Sequence, residues 1–279
     1  MPLDQNLTRR SFDKLKRQLA KISSQLAPEG VHRFRTYARR VEVLLGEVLP
    51  ETSRNEKKLV KLLARSRKKA GRVRDLDMQI SLLSSLKFPQ AGGQKAQLQR
   101  NLIERREKNE RKLRKAFDRK TIAEMRRRLR RTSDRIEIPG NVEPVEIALE
   151  LLRAAGHDGA TMTEEMLHQY RIAGKRARYV AELGGSSPEA ERVAAHLKKM
   201  QDVIGDWHDW LQLTARAEAL FGKVQDSPLV AELSNVTRAK FREAAAAVPA
   251  TRAALSGKPA ASEMVPRKRP GRVEEETAA

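Results

Sequence analysis

The sequence contains no cysteine, few aromatic residues and no long apolar stretch. Without cysteine, disulfides, thiolate zinc sites, iron–sulfur clusters and cysteine nucleophiles are excluded. Aromatic residues make up only 4% of the chain, so few side chains are available for nucleic-acid bases to stack on. The longest unbroken apolar run covers only residues 244–248, too short to cross a bilayer. The first ten residues also lack the apolar segment of a secretory signal. We therefore expect a soluble, cytoplasmic protein.

The charged residues of the sequence are predominantly basic. The 279 residues include 57 Lys and Arg against 36 Asp and Glu, a formal net charge of +21. Chains this basic usually bind a polyanion such as nucleic acid, an anionic membrane or an inorganic phosphate polymer. Basic residues are densest in residues 100–135, where many are spaced for i,i+4 pairing on a helix. We interpret that segment as a solvated helix face that contributes to the overall electrostatic field.

The apolar spacing is helical along almost the whole chain. Val31, Phe34, Ala38 and Val41 step by three or four residues, which is typical of one face of a helix. Continued along the sequence, this periodicity predicts an all-α fold of about ten helices and no strands. The predicted helices cover residues 4–26, 31–48, the segment around 59–63, 73–86, 94–131, 144–155, 164–183, 188–204, 207–221 and 228–248.

Proline and glycine divide the chain into a helical domain and a tail. Residues 249–279 contain repeated prolines and little large apolar content, so we expect a disordered basic and polar tail there. Residues 1–248 form the helical domain, with an N-terminal half of about 1–138 and a C-terminal half of about 139–248, divided near the Pro-Gly-Asn turn at 139–141.

An internal repeat is the strongest signal in the sequence. VHRFRTYARR at residues 31–40 aligns with LHQYRIAGKR at 167–176, at an offset of 136 residues. GRVRD at 71–75 aligns with GDWHD at 205–209, at an offset of 134 residues. Two matches in the same order indicate a duplicated helical unit, in which each half forms a small bundle around its own apolar stripe.

The repeat places basic side chains beside the apolar stripe of each half. In the first half these are His32, Arg35 and Arg39; in the second they are His168, Arg171, Lys175 and Arg178. Half-buried positive charge is costly without a partner. Carboxylates that could neutralise it are Glu42, Glu182, Asp75 and Asp209. They are too few for the whole set, so an external anion is the simplest remaining partner, and internal salt bridging across the bundle is the alternative.

Four segments in this order carry a resemblance to a known family: VHRFRTYARR, GRVRDLD, LHQYRIAGKRARY and MQDVIGDWHD. With their connecting helices they cover about residues 12–248 and resemble the CHAD family, the conserved-histidine α-helical domain. The resemblance implies two pseudo-symmetric four-helix bundles with a basic channel between them that binds inorganic polyphosphate. It also implies association with polyphosphate granules and their proteins. The implied phosphate ligands are His32, Arg35, Arg39, Arg40, Arg65, Arg74, His168, Arg171, Lys175, Arg176, Arg178, Lys199 and His208.

The resulting functional hypothesis is non-catalytic polyphosphate binding, with no cofactor, no metal and no membrane partner. A nucleic-acid-binding protein is the first alternative, but no helix-turn-helix or zinc-finger pattern is visible, so we expect only non-specific binding to nucleic acid. A metal-dependent phosphohydrolase built on His32, His168 and the His208-Asp209 pair is the second. Arg and Lys surround these groups and would repel a divalent cation. We expect His32 and His168 to be neutral in the free protein for the same electrostatic reason. Whether Trp207 and Trp210 face the channel or the core is open.

Overall fold

Nine α-helices make up most of the described chain, which confirms the all-α prediction. A computed structural model describes residues 3, 5–24, 27–49, 52–88, 92–137, 139, 141–156 and 161–257. The helices are α1 (Gln5–Ser24), α2 (Pro28–Val43), α3 (Arg54–Ser85), α4 (Gly92–Ala116), α5 (Arg119–Arg135), α6 (Pro144–Arg153), α7 (Glu164–Ala181), α8 (Pro188–Phe221) and α9 (Pro228–Ser256). A π turn at Leu44–Val48 follows α2, and a 3-10 turn at Glu182–Gly184 follows α7. Across these ranges, no helix combines the length and the apolarity needed to cross a membrane.

Side-chain caps fix where several helices begin. Ser53 accepts a hydrogen bond from the Glu56 backbone N–H, and the Glu56 carboxylate accepts one from the Ser53 N–H, which is a complete capping box at the start of α3. Ser187 and Ser227 cap α8 and α9 just before Pro188 and Pro228, where a missing N–H costs nothing.

The helices pack as two groups of four. In the first bundle α1 and α3 each pack on α2 and α5; in the second, α6 and α8 each pack on α7, and α8 also packs on α9. The bundles meet where α2 contacts α7 and α3 contacts α8, and α4 lies against α3 and α8. The architecture agrees with the two bundles inferred from the sequence. Their origin by duplication stays a prediction.

Two apolar clusters hold this arrangement together. The larger contains residues of both bundles, including the fully buried Phe34, Tyr170 and Trp207. The smaller lies beneath α4 and includes Leu98 and Trp210. Both tryptophans are therefore core residues, which answers the question that the sequence left open.

The long helices differ from the sequence prediction. Each of α3 and α8 was predicted as two shorter helices, but α3 is a single helix of 32 residues and α8 one of 34. The predicted helix at 94–131 is instead two helices. The Asp118 carboxylate accepts a hydrogen bond of 2.6 Å from the Thr121 N–H and so starts α5. The apolar period identified the helical segments, whereas the packing of neighbouring helices decided which of them are continuous.

The last described helix extends beyond its predicted end. It was predicted to stop at residue 248, but α9 continues through Pro249 to Ser256. Val248, Thr251 and Leu255 are buried at helical spacing, and their packing offsets the backbone hydrogen bond that proline removes. The part of the predicted tail from residue 258 onward lies outside the described residues.

Candidate anion-binding cavity

A cavity of about 480 Å³ lies between the two bundles, and we call it the first cavity. Helices α2 and α3 contribute one wall, and helices α7 and α8 contribute the other. Seven of the residues lining it were predicted from the sequence as phosphate ligands: His32, Arg35, Arg39, Arg74, Arg171, Lys175 and Arg178. The two repeat motifs therefore face each other across one space.

Helix geometry explains why these side chains reach the cavity. Phe34 and Ala38 on α2 are buried, and so are Tyr170 and Ala177 on α7. The basic residues follow each of these apolar positions by one residue and lie at the edge of the core, where they are half-buried or exposed. The core anchors the helix, and the adjacent stripe is directed into the gap between the bundles.

Four cations in the first cavity, Arg35, Arg74, Arg171 and Lys175, have no acidic partner at ion-pair distance among the described residues. The Nη1 atom of Arg35 and the Nε atom of Arg171 are buried and form no hydrogen bond there. Lys175 is close enough to both arginines to feel their charges, and burial, reinforced by Arg171 and Arg35, lowers its pKa to about 7. Burial also lowers the pKa of Arg35 and of Arg171, but a guanidinium remains protonated in proteins. Asp75 and Asp209 act on these charges only from beyond ion-pair distance, so the positions hold positive charge that is costly and only partly compensated.

Two glutamates neutralise three other cations at the edge of the cavity, Arg39, Arg67 and Arg178. The Glu42 carboxylate accepts hydrogen bonds of 2.9 and 3.0 Å from Arg67 Nε, and Arg39 Nη1 lies 3.8 Å from it. The Glu182 carboxylate accepts a hydrogen bond of 2.7 Å from Arg178 Nη1. Internal salt bridging therefore accounts for part of the basic set, as the alternative interpretation proposed, but not for Arg35, Arg74, Arg171 and Lys175.

Four aspartates also line the first cavity. Asp202 and Asp206 pair with Lys198 at 2.7 Å and Lys240 at 3.1 Å. Asp75 and Asp209 form no ion pair within the described ranges. Burial, together with the nearby Asp75, raises the pKa of Asp209, whereas Arg171, Arg74 and Lys175 act in the opposite direction.

The three predicted histidines occupy different places. His32 lines the first cavity, and burial together with Arg74, Arg35 and Arg33 lowers its pKa. His208 lines a second, smaller cavity, and burial together with Arg171 and Lys175 lowers its pKa to about 4. The ring of His168 lies 6.1 Å from that of His208, and His168 lines neither cavity. Within the described residues no three His, Asp or Glu side chains come together as metal ligands.

Two predicted ligands instead join the bundles to each other. Arg40 donates hydrogen bonds of 3.1 and 2.9 Å to Glu182, which follows α7. Arg176, its counterpart in the repeat, donates bonds of 2.7 and 2.5 Å to Glu47, which follows α2. Equivalent arginines thus make reciprocal pairs across the interface, and their guanidinium groups are occupied by carboxylates and do not face the cavity.

Arg65 and Lys199 also lie outside the first cavity, although they were predicted to line it. Both are exposed on the surface. Each lies two residues before a lining residue, Arg67 or Gln201. Two residues rotate a side chain by about 200° around a helix, which directs these two away from the cavity.

Sequence reasoning missed Arg67, which lines the first cavity. Arg67 precedes Arg74 by seven residues on α3 and faces the same cavity, a relation that appears only when α3 is read as one helix. A Cβ atom on Gly71 would lie 3.8 Å from the Arg35 guanidinium, which is an ordinary contact, and one on Gly205 would have no neighbour within 4 Å, so packing does not require glycine at either position.

The fold and the cavity together define an all-α domain of two packed four-helix bundles with a cationic space between them. The chain belongs to the CHAD domain family, whose model matches residues 6–218. The crystal structure of the CHAD domain from the plant Ricinus communis is similar, with a TM-score of 0.60 and 17% identity over 88% of this chain and 87% of that chain. PptA from Streptomyces chartreusis is also similar, with a TM-score of 0.62 and 16% identity over 91% of this chain and 98% of that chain. At these identities the two structures establish the fold alone. No curated protein matches the chain.

Proposed function

We propose that this protein binds inorganic polyphosphate in the first cavity and does not hydrolyse it. The observation that carries the proposal is the meeting of Arg35, Arg171 and Lys175 from both bundles in one cavity, without acidic partners at ion-pair distance in the described part of the chain. A bound anion would supply the missing countercharge and offset the cost of burying these cations.

The composition of the cavity favours a phosphate chain over nucleic acid. Arginine forks match phosphate oxygens in bidentate geometry, and a lysine ammonium acts as a point charge. Single-stranded nucleic acids need aromatic platforms for their bases. Tyr179 is the one Phe, Tyr or Trp among the residues lining the first cavity. A phosphate polymer without bases can use the Arg and Lys side chains of this cavity and needs no aromatic platform.

The proposal extends to where the protein acts and to what it binds there. Family membership and the cationic cavity support association with polyphosphate granules and their proteins in the cytoplasm, with nucleic acid bound only non-specifically. Binding without catalysis agrees with the surroundings of the histidines, since His208 and His32 lie near several Arg and Lys side chains that oppose a divalent cation.

The decisive experiment compares two double substitutions that remove the same charge. Arg35→Gln with Arg171→Gln removes two cations from the first cavity. Arg126→Gln with Arg130→Gln removes two exposed cations from α5. We expect the cavity variant to lose most of its affinity for long-chain polyphosphate and the α5 variant to lose little, because distant charge acts only through the field.

Two results would contradict the proposal. Equal losses in both variants would show that net charge alone makes the site. Duplex DNA that competes on equal terms at physiological salt would identify a general polyanion binder. Wild-type affinity is also expected to fall steeply with salt, because binding releases the polymer's counterions.

A further inference from the structure

Lys175 is the one lysine among the described residues that line the first cavity. Its side chain is half-buried on α7 and forms no hydrogen bond or ion pair within the described ranges. Lys198 and Lys240 differ from it, because an aspartate holds each of them, at 2.7 and 3.1 Å. Lys175 is therefore an amine that no carboxylate holds and that opens onto a space of about 480 Å³.

This amine is available as a nucleophile. A lysine attacks an electrophile only in its neutral form, and an ordinary lysine, with a pKa of about 10.4, holds almost none of that form at pH 7. Burial, reinforced by Arg171 and Arg35 and opposed by Asp209, lowers the pKa of Lys175 to about 7. Close to neutral pH, about half of the Lys175 side chains therefore carry a free lone pair on Nζ.

The neighbouring arginines select the kind of electrophile. Arg171 lies one helical turn before Lys175 on α7, and Arg35 reaches the same cavity from α2. Arg35 Nη1 and Arg171 Nε are buried and have no hydrogen-bond partner among the described residues. Guanidinium groups bind phosphate oxygens and stabilise the charge of a departing phosphate. An acyl phosphate has a phosphoryl group for the arginines and, one bond away, a carbonyl carbon for the amine.

We propose that Lys175 is an acylation site, at which a small acyl phosphate held by Arg35 and Arg171 transfers its acyl group to Nζ. The neutral amine attacks the carbonyl carbon and forms the new C–N bond. The bond between that carbon and the bridging oxygen breaks, and inorganic phosphate leaves with its electron pair. The proton lost by the nitrogen goes to the phosphate, and nothing is oxidised or reduced.

Acylation would regulate the first cavity, a consequence that rests on the proposed function. The neutral amide carries no charge, so one of the cations that attract the polymer is lost. The acylated protein should bind long-chain polyphosphate about tenfold more weakly at pH 6, as expected for one lost charged hydrogen bond. A bound chain should in turn protect Lys175 from acylation, because both reagents occupy the same space.

The test incubates the full chain with acetyl phosphate at neutral pH and follows each lysine by mass spectrometry of its peptides. Lys199, which is exposed on α8, is the reference within the same chain. Lys175 should be acetylated at least about tenfold faster than Lys199, because more of it is neutral and the reagent is bound beside it. Its rate should saturate with acetyl phosphate, and inorganic phosphate should inhibit it competitively.

An uncharged acyl donor separates phosphate recognition from amine reactivity. The rate at Lys175 with acetyl phosphate is divided by its rate with the N-hydroxysuccinimide ester of acetic acid, so that changes in the protonation of the amine cancel. This ratio should fall about tenfold or more in Arg35→Gln with Arg171→Gln, which loses the groups that bind the phosphoryl oxygens. It should stay at the wild-type value in the α5 control, Arg126→Gln with Arg130→Gln, whose side chains are exposed elsewhere.

The outcomes separate this inference from the proposed function. Acetylation of Lys175 no faster than that of Lys199 overturns the acylation site, and so does a rate ratio that is equal in the two double variants. Inhibition by inorganic phosphate needs only the wild-type chain, so its absence overturns the site even if the cavity variant does not fold. If Lys175 is acetylated as expected but wild type does not bind long-chain polyphosphate, the proposed function fails and the acylation site stands.

Discussion

Polyphosphate binding should weaken as pH rises through 7, and Lys175 should be the cause. In the free protein its pKa is lowered to about 7, first by burial and then by Arg171 and Arg35. A phosphate chain beside it adds negative charge, which raises that pKa again. Binding therefore takes up a proton wherever free Lys175 is neutral, and linkage requires the affinity to fall as pH increases.

The size of the effect follows from the pKa. A group with a pKa of about 7 is mostly charged at pH 6 and mostly neutral at pH 8. If the bound chain keeps Lys175 protonated at both values, the affinity falls about tenfold between them, which is about 1.4 kcal/mol. Calorimetry at fixed salt measures the affinity, and repeating it in two buffers with different ionisation enthalpies measures the proton taken up. Long chains are the suitable ligand, because terminal phosphates, which titrate at a pKa of about 6, are then few.

Substitutions of the same residue provide the controls. Arginine stays charged throughout, so Lys175→Arg should bind at pH 8 as tightly as at pH 6. Lys175→Met should also have a flat profile, at lower affinity. His32 and His168 are also ionisable, and changing both to Gln should leave most of the pH dependence intact if Lys175 is its source. The reasoning would be refuted if the wild-type affinity did not change with pH, or if the affinity of Lys175→Arg fell with pH as steeply as that of wild type.

Two predictions concern stability. Glu42→Gln removes a carboxylate that is only 8% exposed and leaves two arginines unpaired. Denaturant unfolding should show a loss of about 3–5 kcal/mol, while polyphosphate affinity rises; unchanged stability would contradict the structural role of this pair. Gly184→Ala would place a Cβ atom 2.7 Å from Ala190 Cβ, which is fixed on its helix, and should cost about 1–3 kcal/mol. Gly174→Ala is the matched control, since the atom at the same distance is the mobile end of Met200; an equal loss in both variants would refute the argument.

Most of the first cavity could be predicted from the sequence because its residues share helix faces. The positions of Arg35 and Arg171 follow from the three- and four-residue spacing of the apolar stripe beside them, which is a local property of each helix. Arg67 was not predicted because it shares a helix face with Arg74 only if α3 is one continuous helix. That continuity depends on the packing of α3 against α2, α5 and α4.

The pairing of the arginines was decided by the tertiary structure. Arg40 and Arg39 are neighbours in one basic motif, and no sequence rule separates them. Arg40 meets Glu182, which is 142 residues away in the other bundle, while Arg39 lines the cavity. An ion pair between distant segments forms only after both bundles have folded and docked, so the sequence cannot indicate which cation it removes from the site.

The sequence by itself determined the helical fold, the two basic stripes and the family, because helical periodicity and the order of motifs are local properties of the sequence. Only the tertiary structure decided the protonation of Lys175 and the existence of the second cavity. Both depend on how far water is excluded by helices that are distant in sequence, since burial sets the cost of each charge and a cavity is the space that packing leaves open.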